Sequence, residues 1–428
     1  MEGRKAKKIE LIPEEVAVED NETGGREIRG LEPKLERFKK LESGVDYKLS
    51  IVNEKISTEA NPEDYILFAS PSNGDVSLLV VPPHWRTITA PIAASFHNES
   101  GQKHNFFEAN TKGVGYLKPS LKNESLDAMD SWHDTNCMEG ERVLGINSER
   151  PGAMSAKNKM GISNHLLAQG LRVEAHWAVA KLQRIPYRGE MFTMDELIQR
   201  GLFPRKFDKL NLLVRPIELV RLFKTNTRIE EALLSDERRQ EIFSQAFELH
   251  NRESELTGKE RLNIGNRRQE QDFFRSFSYK IGSNLAILLN EGFAHGSIHS
   301  SNITMAAELV DIDPLCYWED DKIKSGWKEK FSGLRLHHIK DFRDAIYSLR
   351  RLFKAARRSN LSTGTRESLV ENLLNGFNEK LDSKKMITHD IDNISARQWL
   401  VKIAEHCLIQ RKNLPSLLNQ HIDEWKIS

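Results

Sequence analysis

The chain has 428 residues, 39% hydrophobic and 29% charged, an ordinary balance for a globular protein long enough to build two cores. Its 63 Lys and Arg offset 62 Asp and Glu, which excludes a global basic field of the kind that binds nucleic acid nonspecifically. Three dispersed cysteines (Cys137, Cys316 and Cys407) form no zinc pair and no disulfide framework, no apolar stretch follows the charged start, and no run is long enough to span a membrane. A cytoplasmic protein with no membrane or nucleic-acid partner is therefore expected.

Residues 1–60 read as a largely flexible arm, because acidic Glu14–Gly25 offers little to bury. Within it Leu31, Leu35, Phe38 and Leu41 have the spacing of a short helix. A sheet-rich lobe is expected over 61–215. Tyr65–Ser70 and Val76–Val81 flank the turn residues Pro71–Asp75, and Thr87–Phe96, Asn105–Ala109 and Val114–Leu117 are further strands. An insertion is expected near 119–170. Apolar spacing predicts a helix over Ser163–Arg184, ended by Ile185-Pro186, and Leu212-Leu213-Val214 is one more strand. Residues 216–428 read as a helical lobe. There Phe274, Phe277, Ile281, Leu285 and Leu288 share a helical face and Gly292 stands at the cap, while Ile339, Phe342, Ile346, Leu349 and Phe353 mark another helix. Its remaining cations, Arg343, Arg350, Arg351 and Lys354, with Arg357-Arg358 beyond, are expected to form a solvated face. The fold class is thus α+β, a sheet-rich part followed by a helical one.

Chemistry concentrates in Gly292–Asn302 and its continuation to Asp311. A buried helix leads into a polar His295-Gly296 turn, and a short strand over Glu308–Val310 delivers an acid. Mg²⁺ takes oxygen ligands, usually one or two from protein and the rest from phosphate and water. The Asn302 amide oxygen and the Asp311 carboxylate are suited to hold Mg²⁺ or Mn²⁺ against the phosphates of ATP. Lys118 is the candidate cation on those phosphates, with Glu174, expected on a helix, as its acidic partner. Arg215 and Arg221 are candidate phosphate clamps, since guanidinium forks match phosphate oxygens.

His295-Gly296 followed by Asn302-Ile303-Thr304 and Asp311 resembles the selenoprotein O (SelO) family of kinase-like protein adenylyltransferases. Val214-Arg215 through Arg221, and Glu174 through Ile185-Pro186, are similar to that family's arginine strand and glutamate helix. The resemblance implies a protein-kinase-like two-lobe fold, with a sheet-rich N-lobe and a helical C-lobe. It also implies transfer of AMP from ATP to Ser, Thr or Tyr hydroxyls of a protein, or of the chain itself, with release of pyrophosphate. In that scheme Lys118 pairs with Glu174, Arg215 and Arg221 hold the inner phosphates, and Asn302 and Asp311 bind the metal. Two positions depart from the pattern. Ser297 stands where ordinary kinases carry a catalytic Asp, and Ser301 where the family has an Asp before its metal-binding Asn. Activation of the acceptor then falls to the metal, Asp313 or His299. The alternatives are a phosphotransferase of kinase type and an inactive pseudokinase that binds ATP as a scaffold or switch.

Overall fold

Ala175–Leu182 is apolar almost throughout, the composition of a strand covered on both faces, and it lies inside an antiparallel sheet. The computed structural model describes residues 18–20, 26–28, 38–69, 87–98, 101, 103–114, 147–149, 155–187, 190–200, 215–234, 236, 238–256, 258–312 and 332–382. The fold is mixed α+β, and the chain divides into two units. Unit 1 comprises Met1–Asn164 and Ala175–Lys224, and unit 2 comprises His165–Glu174 and Thr225–Ser428.

The strands, in chain order, are β1 (Val18–Asp20), β2 (Arg26–Ile28), β3 (Phe38–Lys40), β4 (Tyr47–Val52), β5 (Ile56–Thr58), β6 (Leu67–Ala69), β7 (Thr87–His97), β8 (Lys103–Lys112), β9 (Asn147–Glu149), β10 (Ala175–Leu182), β11 (Arg184–Tyr187), β12 (Glu190–Thr193) and β13 (Arg215–Phe223). Seven of them form one sheet in unit 1, in the order β4-β10-β13-β8-β7-β5, with β9 pairing to β13. The register of β7 on β8 shifts between Pro91 and Ala94, where proline has no N–H to give the ladder. Helix α1 (Ala156–Ala168) follows β8 and β9 in the chain, and its Ala156 and Met160 pack with Val179, Ile217 and Leu219 of the sheet. A short helix α2 (Met194–Gln199) follows β12, opened by a Thr193–Glu196 capping box.

Glu218 lies between Ile217 and Leu219 in β13 and is fully buried, and neither carboxyl oxygen has a hydrogen-bond partner among the described residues. Burial pushes its pKa well above the ordinary 4.5, and the nearby Leu67 amide opposes this only in part. The folded chain therefore binds a proton that the unfolded chain has lost, so stability falls as pH rises from 4.5 toward the raised value. The expected slope is up to about 1.4 kcal/mol per pH unit. Glu218→Gln should remove that slope in urea melts taken between acid and neutral pH. An unchanged slope would show that Glu218 does not hold the proton.

In unit 2 the helices are α3 (Ile229–Leu234), α4 (Arg239–Glu255), α5 (Arg267–Asn290), α6 (Ser332–Arg358) and α7 (Arg366–Lys380). Asn266 caps α5 by accepting from the Arg268 and Gln269 amides, and Thr365 caps α7 through Ser368. Aromatic contacts tie the helices together: Phe247 stacks on Phe273, Phe274 meets Phe353, and Phe342 meets Phe377. The end of α5 is a Schellman motif. Gly292, at φ 70, donates to the Leu289 carbonyl, and Phe293 donates to Leu288.

Several sequence expectations need correction. Phe38–Lys40 is a strand paired with β6, not part of a helix, since backbone pairing with a distant strand overrides the helical spacing. The sheet includes Tyr47–Val52 and Ile56–Thr58, which lie within the stretch expected to be a flexible arm. The helix expected over Ser163–Arg184 is instead the end of α1, stopped at Gly170 (φ 85), followed by β10. A short apolar run does not distinguish helix from buried strand by period alone. Strand β13 runs through Pro216 to Phe223, past the boundary expected at 215. Val76–Val81, Leu212–Val214 and most of Val114–Leu117 lie outside the described residues.

Candidate functional site

In unit 2 the loop from His295 to Ile312 is built by backbone pairing with three neighbours. Its two ends close on each other, because the Val310 N–H donates to the Asn302 carbonyl at 3.2 Å and Ile303 bridges Leu309. Asn302 and Asp311 are thereby brought to adjoining ends of one small hairpin. His295 is buried and spans the same gap, with Nε2–H donating to the Val310 carbonyl at 2.9 Å. This bond anchors the peptide just before Asp311.

The second neighbour is the segment following α1. Leu309 N–H donates to the Arg172 carbonyl at 2.9 Å, and Glu174 N–H donates to the Leu309 carbonyl at 3.1 Å. Glu174 is buried, and its Oε1 accepts from the Ile312 N–H at 3.2 Å, immediately after Asp311. Arg172 grips the turn from behind, donating to the Ala306 carbonyl and pairing with Glu253 at 2.8 Å. Asn284 of α5 accepts from the Arg172 amide and donates to Ala307.

The third neighbour is the stretch entering α3. The Ile229 and Glu230 amides donate to the Ile303 and Ser300 carbonyls at 3.0 and 3.1 Å. Arg228 is wholly buried, and it donates Nη1 to the Ser301 carbonyl at 3.2 Å while Asn226 accepts from its Nε and Nη2. Its own amide bonds the Glu231 carboxylate at 3.0 Å. Burial pushes that carboxyl up to about 7, against the pull of the Arg228 amide. From α6, Asp341 accepts from the His295 amide at 2.7 Å and Ser348 donates to the Ile298 carbonyl at 3.2 Å. Every turn of the loop is thus fixed by a buried partner, which preorganises its side chains.

Asn302 donates its amide nitrogen to the Ser297 carbonyl at 3.0 Å, with a longer 3.4 Å approach to His299 Nε2. This fixes which way the amide faces and leaves Oδ1 as the group available to a cation. Asp311 is held at φ 56, a left-handed conformation uncommon outside glycine and worth about 1–3 kcal/mol of strain. Such strain persists where surrounding structure enforces it, here the bonds on Val310 and Ile312. One amide oxygen and one carboxylate suit Mg²⁺ or Mn²⁺, which keep phosphate and water in their remaining positions. Among the described residues no group of three or more His, Cys, Asp or Glu is placed to hold a metal. His299 is exposed and its Nδ1 lies 2.6 Å from the Ser301 hydroxyl.

The remaining candidates are placed as follows. Glu174 lies beyond the end of α1 rather than on a helix, and it braces the Asp311–Ile312 peptide. Lys118 and Asp313 lie outside the described residues. Arg215 opens β13, and its side chain is also outside what is described. Arg221, in the same strand, is buried and donates Nη2 to Asn110 at 2.6 Å. Arg172, Arg228, Asn284 and Asp341 were not singled out from sequence. Each acts across a long stretch of chain, and no local spacing marks it.

No protein-family model and no curated protein matches this chain. The site must therefore be argued from its geometry. No helix among the described residues is long and apolar enough to cross a membrane.

Proposed function

We propose that this chain is a metal-dependent protein adenylyltransferase of protein-kinase-like architecture, acting on Ser, Thr or Tyr hydroxyls. The observation that carries the proposal is the His295–Ile312 loop, in which Val310–Asn302 backbone pairing brings Asn302 and Asp311 to adjoining positions, with the Asp311 backbone at a strained φ of 56. The order of elements supports the architecture. Strand β8 precedes α1, and β10 and β13 follow, the strand–helix–strand order a kinase-like sheet-rich lobe requires, with Glu174 placed beyond α1 and not on it.

Mg²⁺ or Mn²⁺ on Asn302 and Asp311 would neutralise phosphate charge. The chain's own residues supply position. His295 and Glu174 hold the peptides on either side of Asp311, and Arg228 holds the Ser301 carbonyl. In the reaction the acceptor oxygen forms a bond to the α-phosphorus of ATP, the α–β bridging bond breaks, and pyrophosphate leaves. The hydroxyl proton passes to the exposed His299 imidazole, because serine stands at both 297 and 301 where a carboxylate would serve.

The test is paired labelling of the purified protein with α-labelled and γ-labelled ATP in Mg²⁺ or Mn²⁺. Label entering protein from the α-position alone is expected. Label from the γ-position alone would make the chain a phosphotransferase. No label with ATP binding intact would leave a nucleotide-binding pseudokinase.

A further inference from the structure

Helix α6 carries more cations than its packing requires. Arg350, Arg351, Lys354, Arg357 and Arg358 are all exposed, and 350, 354 and 357 recur at the spacing of one helical face. These five line a cleft of about 890 Å³ whose wall continues through His299 and Ser300. The acid among its lining residues is Asp344, already paired with Arg343 at 2.8 Å. Arg351 links the cleft to the candidate site, donating Nη1 to Ser300 Oγ at 2.7 Å and facing Glu230 at 3.5 Å. Neither Lys354 nor Arg357 has an ion-pair partner among the described residues.

A merely solvated face would spread its charges around the helix and mix their signs. Here five charges of one sign converge on a concavity in a chain whose formal net charge is only +1. Converging charge over low-dielectric walls focuses the field and attracts an anionic partner. His299 and Ser300 belong to the same loop as Asn302, with Ser301 between, so the cleft lies beside the candidate site.

We infer that the α6 cleft docks an acidic segment of the acceptor protein and so selects hydroxyls flanked by Asp or Glu. This rests on the transferase reading above. An acidic peptide suits the cleft better than a nucleic acid strand. Bases need exposed aromatic faces, whereas Phe353 is buried and the Tyr347 ring is covered by Arg350 at 5.6 Å.

The experiment uses the full chain and two fluorescent peptides, each with one serine, flanked in one by glutamates and in the other by lysines. Anisotropy titrations at low and high salt are compared with those of a triple variant, Arg350→Glu, Lys354→Glu and Arg357→Glu. The glutamate peptide should bind, weaken with salt, and lose about tenfold or more in the triple variant. Mn²⁺-ATP binding by the same variant should be unchanged, which also shows that it is folded. Equal binding of both peptides, or no loss in the variant, would overturn the docking role. So would a single-stranded oligonucleotide that binds more tightly than the glutamate peptide. Because binding is read without turnover, loss of transfer with peptide binding intact counts against the transferase reading and not against the cleft.

Discussion

Asp311→Asn should lower AMP transfer by at least about 10³-fold while leaving the protein folded. Asparagine is nearly isosteric and shares the tolerance of aspartate for positive φ, so the backbone at φ 56 is kept. What is lost is the negative charge that a divalent cation requires. Asp311→Ala is a less clean variant, since alanine at this φ adds strain of about 1 kcal/mol or more to the loss of the ligand. The contacts that frame the position, His295 to the Val310 carbonyl at 2.9 Å and the Ile312 amide to Glu174 at 3.2 Å, involve neighbours rather than Asp311 itself. Transfer measured with α-labelled ATP, beside a thermal melt within about two degrees of wild type, checks both halves. Full turnover by the Asn variant would remove Asp311 from the site.

The largest stability effect is expected at Gly282. This residue lies within α5, and a Cβ there would stand 1.9 Å from the Leu373 carbonyl oxygen and 2.9 Å from the Phe377 nitrogen of α7. The contact is reciprocal, because a Cβ on Gly376 would stand 2.1 Å from the Tyr279 oxygen of α5. Both obstacles are backbone, which cannot swing aside as a long side chain can. The two helices must separate, weakening the Ser283–Gly376 bond between them and disturbing the Phe342–Phe377 contact of α7 with α6. Overpacking of this kind costs about 3 kcal/mol or more, although alanine is the better helix former. For a unit of this size that is about 6–12 °C in melting temperature. Differential scanning calorimetry of Gly282→Ala and Gly376→Ala should show both losses. A neutral or raised melting temperature in either would contradict the close backbone approach.

How far the sequence could be read depended on the range of the interactions involved. The helix end at Gly292 and the turn after it were legible because they are local, while the strand expected over Glu308–Val310 is only an isolated bridge at Leu309 within a loop that closes on itself. The strands Thr87–His97 and Lys103–Lys112 were legible for the same reason, with a turn between partners. Ala175–Leu182 was misread because burial on both faces erases the alternation that marks a strand. That error carried Glu174 onto a helix it does not occupy. Its observed task, holding the Ile312 amide across a gap of more than a hundred residues, has no signature in local spacing. Arg228 and Asp341 escaped notice in the same way, as single charged residues whose partners lie far along the chain. The α6 cations were noticed, but only folding shows that they converge on the loop before Asn302.

The most direct test of the metal-nucleotide site is electron paramagnetic resonance of Mn²⁺ with ATP and the purified protein. A protein-bound Mn²⁺-ATP signal, distinct from that of free Mn²⁺-ATP, is expected in wild type and in Ser301→Ala. It should be lost in both Asn302→Ala and Asp311→Asn. A bound signal of unchanged strength in those two variants would contradict the account at its centre.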